Sequence, residues 1–181
     1  MHNPVTSWHN EHMRFARLLD FLDTQVVSFH AGGQPDYELM RDVLHYLQHF
    51  ADQYHHPYED ETFSWLLERA PDMQLVISRL LQEHRVIAVA GNRLLKCVEY
   101  ILQDNVIERA EVEAAAATYL VYYRHHLDTE ERSVLPVAAL MLRAEDWEAI
   151  AEKTRFAPDP LFGDQIEMRY RRLHEHIHRS G

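Results

Sequence analysis

Apolar residues recur every three or four positions along four long segments of this sequence, and this periodicity limits the chain to a helical fold. The segments cover about residues 5–30, about 36–69, from the turn at 70–72 to about 104, and about 109–132. No stretch alternates apolar and polar residues for long enough to indicate a sheet. Because short connections join the four segments, we predict an all-α fold, an antiparallel up-down-up-down four-helix bundle.

The breaks between these segments contain turn-forming residues, and Asp36 is placed to cap the second helix. We predict one domain over residues 1–181, with a bundle core at about 5–140 and a C-terminal extension at about 144–181. The extension is expected to form a short helix near 144–154 and a last helix near 164–178, joined by a proline-containing linker.

Composition excludes several classes of function. The formal net charge is −11 and the basic residues are scattered, which is not the charge pattern of a nucleic-acid-binding surface. A single cysteine, Cys97, excludes an intrachain disulfide and a cysteine-built metal site. The most apolar run, at 114–123, is too short to cross a bilayer, and no signal peptide is recognisable, so we expect a cytoplasmic protein. The 14 histidines are unusually many.

Helical phase separates histidines that face the core from histidines that face water. In the second helix the apolar stripe through Leu47 continues to His55, so we predict that His55 faces inward and His56 outward. The fourth helix repeats this doublet, and there we expect His126 inside and His125 outside. The rest of the predicted inward set is one histidine from each remaining helix and a glutamate one turn after each doublet: His12, His84, Glu59 and Glu130.

Two buried glutamates beside four imidazoles favour a metal site, because an unpaired buried carboxylate is strongly unfavourable. A hydrogen-bonded network without metal is the alternative. The two halves of the chain look equivalent: each begins with a Glu-His dipeptide, at 11–12 and at 83–84, and nearly the same number of residues then separates its two inward histidines. This repetition suggests two equivalent metal ions, with Glu59 and Glu130 able to bridge them.

Four motifs resemble the hemerythrin-like family, specifically its His-His-Glu cation-binding domains. They are NEHMRFARLL, HHPYEDETF, LLQEHR and HHLDTEERSVLP, and they cover about residues 10–140; DPLFGDQIEMRYRRL at 159–173 is similar to a tail found in this family. The resemblance implies a non-haem centre of two iron ions, with an oxo or hydroxo bridge between them. It also implies that the metal ligands are His12, His55, Glu59, His84, His126 and Glu130.

The sequence departs from the oxygen-carrying hemerythrins in its expected ligands. Ala88 occupies the position at which those proteins have a second histidine on the third helix. Those proteins have an aspartate five residues after the histidine of the fourth helix, whereas here Glu130 lies four residues after His126. Six protein ligands would leave open coordination positions, so we expect a redox-active or gas-sensing centre for O₂, NO or peroxide in preference to a reversible oxygen store. The alternatives are an iron-dependent regulatory module and a di-iron oxidoreductase acting on peroxide. The last helix is a candidate surface for a partner or for a homo-oligomer.

Two other histidine patterns are weaker candidates. His174 to His178 spell the zincin signature H-E-x-x-H, but both histidines are expected to point outward and no third ligand follows. His9 lies one turn before His12 and is an alternative first ligand, although its side of the helix also contains acidic residues.

Overall fold

A computed structural model describes residues 4–179 of the chain, and within this range every regular element is helical. The eight α-helices are α1 (Pro4–His30), α2 (Tyr37–Tyr46), α3 (His56–Arg69), α4 (Gln74–Leu102), α5 (Arg109–Thr129), α6 (Leu135–Met141), α7 (Ala144–Lys153) and α8 (Arg171–Arg179). A π-helical segment, Leu47–His55, joins α2 to α3, and a second one, Glu130–Val134, joins α5 to α6. Short 3₁₀ turns occupy Pro71–Met73 and Met168–Tyr170.

The long helices form a bundle in which each one contacts two neighbours. Helix α1 packs against α2 and α5, and α4 packs against the same two helices. Contacts between α4 and α5 pair His84 with His126, and the position of Gly91 with Tyr119, so these two helices run antiparallel. The all-α prediction is confirmed, whereas the complete up-and-down order of the helices stays a prediction. No helix within residues 4–179 is long and apolar enough to cross a membrane.

Two separate apolar cores fill the bundle. The larger one lies around Phe15, Leu44, Leu94 and Tyr123, and the smaller one around Trp8, with residues of α3, α4 and α6. In α1 and α4 the inward-facing polar residues come between those that enter one core and those that enter the other. The polar cluster is therefore enclosed by apolar packing at both ends.

Each π-helical segment ends two residues before a proline. Pro57 and Pro136 have no backbone N–H, so neither can make the α-helical hydrogen bond to the residue four positions earlier. The residue before each proline donates instead to the carbonyl five positions back: His56 N–H to Ala51 and Leu135 N–H to Glu130. These wide turns change which side chains face the core.

Gly91 allows α4 and α5 to approach closely. A Cβ atom at this position would lie 2.8 Å from Cε2 of Tyr119, closer than real carbon contacts. The tyrosine ring is buried, so its position is fixed by its neighbours. The glycine therefore has a packing role between the two helices.

The C-terminal extension folds back onto the bundle through a loop that Asp159 organises. The side chain of Asp159 accepts hydrogen bonds from the backbone of Leu161 at 2.9 Å and of Phe162 at 2.8 Å. It also accepts one from the Tyr46 hydroxyl at 3.1 Å, which ties the loop to α2. The predicted last helix at 164–178 is wrong at its start, because this loop extends the irregular segment and the regular helix begins only at Arg171. Leu173 of α8 is buried in the larger core.

Candidate metal centre

The structure brings all six predicted site residues together at one level of the bundle. Helix α1 supplies His12, α4 supplies His84, α5 supplies His126, and the segments around the two wide turns supply His55, Glu59 and Glu130. All six are buried, and both glutamates are completely inaccessible to solvent. A buried carboxylate without a partner is strongly unfavourable, so we expect both glutamates to have partners inside the protein.

The potential ligand atoms form two overlapping groups that share Glu59. One group is His12, His55 and Glu59, and the other is His56, Glu59, His84 and His126; within each group the ligand atoms lie within 4.8 Å of one another. Oε1 of Glu59 is 3.2 Å from Nε2 of His12 and 2.8 Å from Nε2 of His55. Its other oxygen, Oε2, is 3.2 Å from Nε2 of His84. The two oxygens of one carboxylate thus face the two groups.

Glu130 also faces both groups from the opposite half of the chain. Its Oε2 lies 3.4 Å from Nε2 of His12 and 3.3 Å from Nε2 of His126. Its Oε1 lies 4.0 Å from Nε2 of His84. The two glutamates have equivalent places in the two halves, as the repeated sequence pattern predicted.

The prediction that His56 faces outward is wrong. His56 is buried, its ring stacks on that of His84 with centroids 4.3 Å apart, and it belongs to the second group of ligand atoms. The physical reason is the π-helical segment Leu47–His55, because a wide turn changes the angle between successive side chains and admits both members of the doublet to the core. In α5 the regular helix persists through the doublet, and there His126 is buried and His125 exposed, as predicted.

Each inward histidine also has a carboxylate beside its outer ring nitrogen, Nδ1. In four of the five cases a neighbouring helix supplies it. The four pairs are Glu11 with His55 at 2.6 Å, Asp60 with His84 at 2.8 Å, Glu83 with His126 at 3.5 Å and Glu131 with His12 at 2.7 Å. The fifth pair, Asp52 with His56 at 3.2 Å, lies within one helix.

These pairs run around the bundle in one direction. A carboxylate of α1 contacts the histidine at the end of the segment between α2 and α3, one of α3 contacts the histidine of α4, and one of α4 contacts the histidine of α5. A carboxylate just after α5 contacts the histidine of α1. A carboxylate beside Nδ1 favours the tautomer with the proton on that atom and leaves the lone pair of Nε2 facing inward. This arrangement is typical of histidines that bind a metal through Nε2.

The repeated Glu-His dipeptides gain a structural explanation from these pairs. Glu11 and Glu83 do not contact the histidine that follows them in sequence; each supports the inward histidine of the next helix. The sequence repeat was therefore a signal for the outer carboxylates as well as for the ligands. The repeat indicated the ligands, but the role of Glu11 and Glu83 was not predicted.

The charges in the cluster are strongly perturbed. Burial raises the pKa of Glu59, but the charge on His55 and the close approach of three histidines outweigh this effect and hold the pKa well below its usual range. Burial raises the pKa of Glu130 well above its usual range, and the negative charge of Glu59 adds to the shift. Burial lowers the pKa of His55, but the adjoining carboxylates outweigh it and raise the pKa to about 10. Burial, together with the charge of His84, lowers the pKa of His126 to about 3.

Several inward polar atoms make no hydrogen bond within the described part of the chain, and these atoms show whether the cluster fits a metal ion. They are Nε2 of His55, Nε2 of His56, Oε2 of Glu59 and both carboxylate oxygens of Glu130. Buried polar atoms without partners are rare in folded proteins and call for an explanation such as an ion. Imidazole nitrogens and carboxylate oxygens are ligands for divalent iron, manganese, cobalt and zinc. The residues therefore fit a transition-metal site.

Trp8 is a member of the cluster that was not among the predicted site residues. Its indole Nε1 donates to Oε1 of Glu59 at 2.6 Å and to Nε2 of His12 at 2.9 Å. The indole also packs on Phe63 in the smaller apolar core. Its position one turn before His12 on the same helix face was the available signal.

The weaker candidates lie outside the cluster. The side chain of His9 is 47% exposed and contacts Glu131 at 2.8 Å, so it supports an outer carboxylate and not the inner groups. His174 and His178 lie on α8, and within residues 4–179 neither belongs to a group of three or more potential ligands.

Fold and site together define a helical-bundle protein with a buried histidine and carboxylate site for cations. Residues 3–138 match the family model of the hemerythrin HHE cation binding domain. The match covers well over half of the chain, and the protein belongs to this family. No curated protein and no solved structure matches the chain.

Proposed function

We propose that the cluster binds two iron ions and that this centre senses or binds a small ligand, namely O₂, NO or peroxide. The observation that carries the proposal is the position of Glu59, whose two oxygens contact histidines of the two different groups. A carboxylate placed in this way can bridge two cations. Iron is proposed over manganese, cobalt or zinc because of the hemerythrin family, since the ligand types alone suit all four.

The ligands divide between two ions. His12 and His55 would hold the first, His84 and His126 the second, and Glu59 and Glu130 would be shared. His56 adds a fifth imidazole on the side of the second ion, so fewer open positions remain than six ligands would leave. Bound iron would supply a redox-active Lewis acid with room for an incoming ligand.

The chain's other residues prepare these ligands. The outer carboxylates accept the Nδ1 protons in hydrogen bonds and make the Nε2 atoms more basic, and therefore better ligands for a metal ion. The two apolar cores exclude water from both ends of the cluster, which strengthens every electrostatic interaction inside it. The indole of Trp8 orients one oxygen of Glu59.

A second function, an iron-dependent folding switch, is favoured by the buried polar atoms without partners. Such atoms destabilise the metal-free bundle, and a cation that binds only the folded chain would remove this penalty. Metal binding would then control how much of the protein is folded. In that case the physiological signal is metal supply.

The test is an optical spectrum of the iron-loaded protein before and after addition of O₂, NO and hydrogen peroxide, each added separately. His126→Ala removes a buried ligand, and His125→Ala, its exposed neighbour, is the matched control. We expect ligand-dependent absorption bands in the wild type and in His125→Ala, and none in His126→Ala. Spectra that none of the three ligands changes would contradict sensing and favour the folding switch, and sustained peroxide consumption would identify an oxidoreductase.

A further inference from the structure

A groove of about 360 Å³ lies between α4 and α5 on the outside of the bundle. Its floor includes the buried residues Ala90 and Ala115, whose small side chains leave room above them. None of the residues that line the groove is a proposed metal ligand or an outer carboxylate. The lining residues are Arg85, Val86, Val89, Ala90, Arg93, Ala115 and Thr118.

On the α4 side, the rim of the groove has an apolar residue between two cationic ones. Arg85, Val89 and Arg93 follow one another at intervals of four residues, so they lie in one row along the helix. Eight residues of helix place the two arginines about 12 Å apart along its axis. Val89 is 72% exposed between them. A ligand with an apolar body would cover this side chain and end near an arginine.

The positive charge of the rim is not neutralised at Arg85. Within residues 4–179 no acidic side chain lines the groove, and Arg85 makes neither a hydrogen bond nor an ion pair. The residues three and four positions from it on α4, at 81, 82, 88 and 89, are all uncharged. Arg93 lies 3.9 Å from Glu111, so its charge is partly offset. The free cationic group is therefore at the Arg85 end of the groove.

The net charge of the chain, −11, does not reverse this local preference. At physiological salt, charges further away than about 8 Å are largely screened, so the side chains that line the groove determine which ligand it favours. Arginine is the side chain best suited to pair with a carboxylate, because its planar guanidinium can donate two parallel hydrogen bonds. An apolar floor beside such a group is complementary to an anion that has an apolar body.

The size of the groove favours a small molecule over a protein partner. Its volume lies within the range of small-molecule sites, whereas a stable protein interface takes about 20–30 residues from each side and seven line this groove. We propose that the groove binds a small amphipathic carboxylate, a medium-length alkyl chain with one carboxylate group. The carboxylate pairs with Arg85, and the alkyl chain lies over Ala90 against Val86 and Val89.

The proposal is tested by calorimetric titration of the full chain, with its metal content unaltered, using three probes that share one alkyl chain. Octanoate, octanol and octylammonium are an anion, a neutral molecule and a cation at neutral pH, and acetate supplies the carboxylate without the chain. Octanoate is expected to bind at one saturable site, about tenfold or more tighter than each of the other three. Octanol, octylammonium or acetate binding as tightly as octanoate, or no saturable binding of octanoate, would overturn the proposal.

Two pairs of variants locate the site. Arg85→Gln should remove the preference for octanoate over octanol, whereas Arg171→Gln, at an exposed arginine of α8, should retain it. Val89→Asp should weaken octanoate binding about tenfold or more, because it places a carboxylate on the rim, whereas Val27→Asp, at a valine of α1 that is 62% exposed, should not. Equal effects within either pair would contradict the assignment.

A second copy of the chain is the other occupant to exclude. Analytical ultracentrifugation of the wild type and of Val89→Asp distinguishes the two cases. We expect the same sedimentation for both proteins. A wild-type dimer that Val89→Asp converts to a monomer would assign the groove to a second copy and overturn the proposal.

Discussion

The two buried glutamates should respond differently to the loss of their charge when no metal is bound. In the metal-free protein Glu59 is the charged partner of three histidines, whereas burial and the charge of Glu59 raise the pKa of Glu130 and keep it protonated. Glu59→Gln therefore removes the fully buried counter-ion of His55 and leaves only the partly exposed Glu11, which should lower the free energy of unfolding by about 3–5 kcal/mol. Glu130→Gln replaces a neutral acid by a neutral amide, and we expect a change within about 1 kcal/mol.

The assay is thermal unfolding at pH 7 with and without iron. For a chain of this length about 1 kcal/mol corresponds to roughly 2–4 °C, so metal-free Glu59→Gln should melt roughly 6–20 °C below the wild type and Glu130→Gln within roughly 4 °C. With iron, both variants should lose much of the stabilisation that metal gives the wild type, because each removes a shared ligand. Equal melting temperatures of the two metal-free variants, or a larger loss in Glu130→Gln, would refute the charge assignment.

Three further outcomes follow from the structure. His56→Ala should lower iron affinity by more than about tenfold while His125→Ala leaves it unchanged, as measured by competition with a chelator; equal losses would contradict the inward placement of His56. Gly91→Ala should lower the free energy of unfolding by about 1–3 kcal/mol in urea, because the new Cβ meets a buried tyrosine ring. Burial and adjacent arginines lower the pKa of His45 from 6.5 to about 4, so as the pH falls the unfolded chain binds a proton at this histidine before the folded chain does. The wild type should therefore lose stability as the pH falls from 6.5 towards 4. His45→Gln should lose less stability over this range, and His178→Gln, at an exposed position, is the control.

Helix positions and most of the candidate site could be predicted because regular periodicity determines them. The first helix was expected at about 5–30 and occupies Pro4–His30, and the cap at Asp36 accepts from the backbone of Leu39 at 3.1 Å. The same periodicity selected every one of the six predicted ligands. Sequence spacing predicts side-chain direction directly where the backbone keeps a constant turn, as it does in α1, α4 and α5.

The failures occur where the backbone changes its turn or where a side chain organises a loop. Phase from a regular helix cannot place His56, because the wide turn before Pro57 shifts it into the core. Pro136 has the equivalent position after the second π-helical segment. The two prolines together could have predicted a wide turn near the site in each half of the chain. The late start of α8 depends on the hydrogen bonds of Asp159, and no periodicity reports such bonds.

The proposed centre requires that one chain hold two metal ions that share Glu59. Elemental analysis of protein reconstituted with iron and freed of excess metal tests it most directly, with the protein concentration determined by amino-acid analysis. We predict two iron ions per chain, with a markedly lower content in Glu59→Gln because that substitution removes a ligand common to both ions. One iron per chain, none, or an unchanged content in Glu59→Gln would contradict it.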